Sequence, residues 1–155
     1  MAKLAQYLTA VETVKSHALG EKYLDPVNGD EFVYLTGVGS TVVGSVVSYD
    51  EAFLTTLLDT DVAASLMGPL AVAMAITDAT TEFGWYQVKG PASVLAAGTV
   101  ADNARLQPTA TAGQVDDTTT GAVVIVGMWS RGAGTTGTVM VAQLDYPKLI
   151  DVSLT

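Results

Sequence analysis

The sequence predicts a mainly β protein: a compact β-barrel or β-sandwich with short helical segments and an N-terminal arm. Three observations lead there. Aromatic and β-branched runs alternate with turn residues at the roughly 8–12-residue spacing of barrels and sandwiches. Neither a βαβ alternation nor a tandem repeat is present. The 155 residues suit one domain, or one domain and an arm, with a core that needs no staples. Cysteine is absent, which excludes disulfides and thiolate metal sites.

Residues 1–24 read as the arm or as a short helix, and residues 25–155 as the β-rich domain. Leu4, Leu8, Val11 and Val14 approximate helical spacing, and Gly20 is a plausible stop. Four of the chain's eight Lys, Arg and His residues lie here: Lys3, Lys15, His17 and Lys22. Asp25-Pro26-Val27-Asn28-Gly29-Asp30 is dense in turn formers. Phe32-Val33-Tyr34-Leu35 is a strand, and 41–49 a second one, with Gly44 marking a bulge or a close backbone approach. Residues 52–58 fit either strand or helix. Thr60 is placed to cap a short helix. Residues 70–76 read as a fully buried strand and 78–84 as a polar turn. Large and polar residues alternate over 85–90, and 93–95 forms a separate short strand. A Thr-, Ala-, Gly- and Asp-rich loop follows over 108–121. Residues 122–129 make the strongest strand in the chain. Residues 139–144 make another, closed by Tyr146-Pro147, and 149–154 alternate weakly.

The formal net charge is −9, from 16 acidic and 7 basic residues. Such a surface repels phosphate backbones and anionic membranes, so no direct nucleic-acid partner is expected. Charged residues are only 15% of the chain, against roughly 25% in an average soluble domain. Mean hydropathy is +0.38. A surface rich in Thr, Ser and Gly is cheap to desolvate, which suits wide contact with partners. Met1-Ala2-Lys3 leads into polar, broken sequence without the apolar centre of a secretory signal. The apolar stretch 62–76 contains Ser65, Gly68 and Pro69 and is shorter than the about 20 residues a bilayer needs, so no membrane span is expected.

Candidate chemistry is sparse. Gly132-Ala133-Gly134-Thr135-Thr136-Gly137 matches a dinucleotide fingerprint in letters, but Thr138-Val139-Met140-Val141 continues it as strand. The fingerprint needs a helix there, so a hairpin loop is expected. Asp59 with Asp61, and Asp116 with Asp117, lack a ligand-spaced third acid and read as caps and turns. His17 is the chain's single histidine and has no triad or zinc company in sequence. Nothing in the sequence brings Glu31 and Glu82 together as a carboxylate pair. Trp85, Tyr86 and Trp129 fit core or interface packing better than a stacking platform. No cofactor, metal or catalytic constellation is expected, and the chain reads as a non-enzyme.

Gly84-Trp85-Tyr86-Gln87-Val88-Lys89-Gly90-Pro91-Ala92 resembles a strand of small β proteins encoded beside the major capsid gene of tailed phages, cyanophages included. The upstream Leu70-Ala71-Val72-Ala73-Met74-Ala75 is similar to their alanine-rich segment. Ala97-Gly98, the loop Thr111-Ala112-Gly113-Gln114-Val115-Asp116, the strand over 123–128 and the closing Val141-Ala142-Gln143-Leu144-Asp145-Tyr146-Pro147 follow the same order. The likeness covers residues 25–147 at medium specificity and fits the first 24 residues least. It implies a capsid decoration or cement protein on the virion exterior, bridging capsomers of the major capsid protein as a homo-oligomer, with a trimer favoured. The side chains expected at its interfaces are Leu4, Tyr7, Leu8, Trp85, Tyr86, Trp129 and Tyr146. Two other readings fit the same residues: another virion part, such as a tail or head–tail connector component, and a carbohydrate-binding β module using Trp85 and Trp129. A hydrolase built on His17 is a distant further reading.

Overall fold

The computed structural model describes residues 7–65, 68–118 and 123–151. The fold is mainly β, as the sequence predicts. It is a sandwich-like β structure whose barrel is not closed. The strands are β1 (Lys22–Leu24), β2 (Glu31–Thr36), β3 (Val46–Tyr49), β4 (Thr55–Leu57), β5 (Leu70–Ala73), β6 (Phe83–Leu95), β7 (Gln107–Pro108), β8 (Val115–Asp116), β9 (Val123–Ser130) and β10 (Val139–Asp151). A short helix, α1 (Thr60–Ser65), lies between β4 and β5. Eight strands form one sheet along β1-β2-β6-β5-β3-β4, with β10 joined to β6 and β9 to β10. β7 and β8 form a separate pair inside the Thr-rich loop.

Strand β6 joins the two parts of the large sheet. Its first half pairs antiparallel with β2 and β5, and its second half with β10. The sequence shows two segments here because Gly90 and Pro91 interrupt the pattern. The chain nonetheless runs through as one strand of 13 residues. The Glu31–Lys89 and Phe32–Gln87 pairs leave Val88 as an extra residue, so β6 is bulged. The Gln87 side chain repairs that bend. Its amide nitrogen donates to the Lys89 carbonyl at 3.0 Å and to the Pro91 carbonyl at 2.9 Å. The Pro91 carbonyl therefore faces away from β10, and the missing proline N–H removes no bond between β6 and β10.

Side chains alternate between distinct cores, as the two-residue period requires. From β2, Val33 and Leu35 join Val47, Ala71, Ala73, Tyr86 and Val88 on one face. Phe32 and Tyr34 meet Trp85 on the other. The largest core collects Val46, Leu70 and Val72 with Val94, Ile125, Met128, Met140 and Leu144. Burial on both faces explains why β2 and β5 read as continuous apolar runs instead of alternating ones.

Several local expectations change. Residues 41–45 are not strand, and β3 begins at Val46. Gly44 has φ +91 and sits where a Cβ would lie 3.0 Å from Val139 Cγ1, so close backbone approach is its role. The cap of α1 is Asp59, not Thr60: its carboxylate accepts the Val62 N–H at 2.7 Å and its carbonyl the Ala63 N–H. β5 ends at Ala73, and Ile76 is exposed. β10 continues through Tyr146 and Pro147 to Asp151, because two extra residues are absorbed opposite Gly127. Gly132 to Gly137 fall in the β9–β10 hairpin connection, where Gly134 pairs with Val100.

Gly90 takes φ +97, and a Cβ there would lie 1.9 Å from Asp30 Oδ1. Substitution Gly90→Ala is expected to cost more than about 1 kcal/mol, through both the backbone region and the collision. Adding Asp30→Ala should return only the collision part. Urea unfolding of the two variants measures the split, and full recovery in the double variant would contradict the backbone contribution.

Candidate functional site

The outward face of β6, β10 and β9 is a regular surface that the described residues leave open. Its rows follow from the register, because side chains of antiparallel partners project to the same face. One row is Pro91, Gln143 and Trp129. An isolated bridge between Trp129 and Arg105 extends it by one residue. In the next row Ser93 pairs with Val141, whose carbonyl accepts the Arg131 N–H at 2.8 Å. Val139 stands two residues earlier, at the start of β10. The alternation confirms the face: Met128, Ser130, Met140, Ala142 and Leu144 are buried beneath, whereas Pro91, Ser93, Arg105, Arg131, Val139 and Val141 are exposed.

Val139 and Val141 are 52% and 48% exposed; Val141 is flanked on both sides, and Val139 is the first residue of β10, beside the hairpin connection. Val42 and Val43, also exposed, precede the Gly44 that packs beside Val139. Trp129 is half-buried and lines one hollow of about 430 Å³ with Asp30, Lys89, Arg131 and Gln143. Both arginines of the chain are thus neighbours of one indole. Asp145 marks the lower end of the face, paired in register with Lys89. Trp and Arg are the residue types in which interface hot spots are enriched, and the core of an interface is depleted in acids.

A second surface is built by the N-terminal segment. Glu12 and Phe83 exchange two backbone hydrogen bonds, at 2.9 and 2.8 Å. Gly20 N–H donates to the Tyr34 carbonyl, and Tyr34 N–H to the Glu21 carbonyl. Residues 12–21 thereby lie as a clasp over Tyr34, Phe83 and Trp85. The His17 ring packs edge-on against Tyr34 at 5.2 Å and Trp85 at 5.0 Å, with Nδ1 3.1 Å from Glu21 Oε1. The Glu12 carboxylate accepts hydrogen bonds from the Tyr34 hydroxyl and, at 2.6 Å, from Ser16. Burial raises the Glu12 pKa, but those hydrogen bonds outweigh it and hold the carboxyl below its ordinary value.

The expected interface residues separate on this structure. Leu4 lies outside the described residues. Tyr7, 64% exposed, and Leu8 line an apolar hollow of about 290 Å³ with His17, Tyr23 and Trp85. Trp85 itself is only 7% exposed and Tyr86 1%: both are core, because β2 and β6 are covered on both faces. The two indoles therefore do not share an open platform. Tyr146 is exposed at the β10 bulge with φ +48. Its hydroxyl donates to Glu31, and Lys22 and Lys89 stand 5.9 and 5.5 Å from its ring centroid. That hydrogen bond, then Lys89, lowers the Glu31 pKa against the opposing effect of burial. Among the described residues no three His, Asp or Glu side chains group as a metal site. Asp59 and Asp117 instead accept backbone N–H groups, from Val62 and Ala101.

No family model matches the chain, and neither does a curated protein or a solved structure.

The clasp carries an acid-sensitive contact. A carboxyl whose folded pKa is depressed stabilises the fold above its ordinary pKa, near 4.5 for Glu12, and that stability is lost as pH falls through the folded value. In a Trp129→Phe background, Trp85 fluorescence should be constant near neutrality and shift to the red below about pH 4.5. Glu12→Gln should reduce the acid shift. An identical acid response in that variant would contradict the assignment.

Proposed function

We propose that this chain is a non-enzymatic virion structural protein that decorates and cements a tailed-phage capsid. It sits on the capsid exterior as one copy of a homo-oligomer, with a trimer favoured, and bridges capsomers of the major capsid protein. The observation that carries the reading is the open face of β6, β10 and β9. Val139 and Val141 are half-exposed there, beside an indole and two arginines, with Asp30 and Asp145 at one end. A protein acting alone gains nothing from that exposure, whereas burial against a neighbour is worth roughly 25 cal/mol per Å² of apolar surface.

Two further features support the same reading. The low charge content lowers the desolvation cost of wide contact. Modest contacts repeated by symmetry give avidity without one tight site. The acidic net charge also suits a shell exterior, which need not meet packaged DNA.

The test is co-sedimentation with mature heads. Binding should saturate, and assembled shells should be preferred over unassembled capsid subunit. Val139→Asp with Val141→Asp should weaken shell attachment at least about tenfold, while the urea midpoint changes little because both side chains are exposed. Equal binding to free subunit would overturn the reading, and attachment confined to the tail vertex would assign the chain to another virion part.

A further inference from the structure

The hollow of about 290 Å³ at the N-terminal clasp plays no part in the assembly reading. Among the described residues it is lined by Tyr7, Leu8, His17, Tyr23 and Trp85. Four of those five side chains are rings. The His17 and Tyr23 rings lie 5.0 and 6.2 Å from the Trp85 indole between centroids, with their planes at 64° and 67° to it. Rings set that steeply to one another form the walls of a box, not a stack. Tyr7 adds a further wall and is largely exposed. None of the five lining residues is an acid, an amide, a lysine or an arginine. Carboxylates stand just behind the walls. Glu21 meets the His17 ring at 3.1 Å, and Glu12 accepts from the hydroxyl of Tyr34, whose ring centroid is 5.2 Å from that of Trp85. The ammonium groups of Lys15 and Lys22 instead stand over Phe83 and Tyr146, rings that do not line the hollow.

We propose that this hollow is an aromatic cage that binds a small quaternary ammonium ligand of the choline class. The chemistry of the lining selects that class. A sugar, a nucleotide or a primary ammonium would give up water for few partners, and each polar group left unpaired costs about 1–3 kcal/mol. A quaternary ammonium carries a full charge but no N–H, so entry leaves no donor unpaired. Its charge is met by the negative faces of aromatic rings. A neutral alkyl group suits the same walls, but the nearby carboxylates and the net charge of −9 favour a cation. The volume lies at the small end of ligand pockets, roughly 300–1,000 Å³, which suits one head group. An anionic substituent on the ligand would face Glu12 and Glu21, so the tail beyond the ammonium is neutral. This site is independent of shell attachment.

Trp85 lines the hollow and reports on it. In the full chain with Trp129→Phe, Trp85 is the one tryptophan left, and its emission is followed during titration with choline. The titration is run at about pH 8, above the usual range of histidine protonation. Choline should give a saturable change. The uncharged carbon isostere of choline, 3,3-dimethyl-1-butanol, should bind at least about fivefold more weakly, the size of one cation–π contact. Glycine betaine, which adds a carboxylate, should also bind more weakly than choline. Tyr23→Leu keeps an apolar wall and removes a ring, so it should bring choline towards the affinity of the isostere. Tyr7→Ala should weaken choline at least about threefold, and its exposed position leaves the fold intact. Circular dichroism and the urea midpoint check both variants. No saturable response to choline would overturn the inference. So would an isostere that binds as tightly as choline, which would leave a merely apolar hollow, or unchanged choline affinity in the Tyr7→Ala variant.

Discussion

A strand of 13 residues can serve two differently paired parts of one sheet only if it bends, and β6 bends between Gln87 and Pro91. The bend needs three things at once: an extra residue, a glycine at φ +97, and a side chain that takes over the freed carbonyls. Gln87 is buried, so its amide nitrogen takes those carbonyls as partners in place of water. A buried donor left unpaired costs about 1–3 kcal/mol. With the bend satisfied, β2 and β5 attach to one half and β10 to the other. The rest of the molecule hangs from that division.

The division also sets where surface is left over. Over the first half of β6 both faces are covered: one by the Tyr86 core, the other by the aromatic cluster beneath the N-terminal clasp. Over the second half only the inner face is covered, by Val94, Met140 and Leu144. Its outer face continues across β10 and β9 with no element laid on it among the described residues. The functional reading follows from this asymmetry. On the reading proposed above, the uncovered half-sheet is the part of the fold that a neighbour would complete.

The β class was legible in the sequence because the strand-forming runs are short, aromatic or β-branched, and separated by turn residues. The helix after Asp59 and the hairpin at 132–137 were legible for similarly local reasons. The continuity of β6 and β10 was not. Gly90-Pro91 and Tyr146-Pro147 look like terminators, and only the Gln87 bridge and the bulge opposite Gly127 let the strands run on. Among the candidate contact residues, Trp129 and Tyr146 reach the surface. Trp85 and Tyr86 do not, since a sheet covered on both faces erases the alternation from which exposure is read. Arg105 and Arg131 stand apart in sequence and read as single charges. The relation of Arg105 to Trp129 is created by a bridge across 24 residues, which no local pattern announces, whereas Arg131 is two residues from Trp129 in sequence.

The central claim is that the outer half-sheet of β6, β10 and β9 is buried when the protein is at work. Hydroxyl-radical footprinting, read by mass spectrometry on free protein and on protein attached to mature heads, tests it most directly. Trp129, Val139 and Val141 should lose reactivity on attachment, while exposed positions such as Val14 and Ile76 serve as internal reference. Labelling of Trp129, Val139 and Val141 that is unchanged in the attached protein would contradict the account.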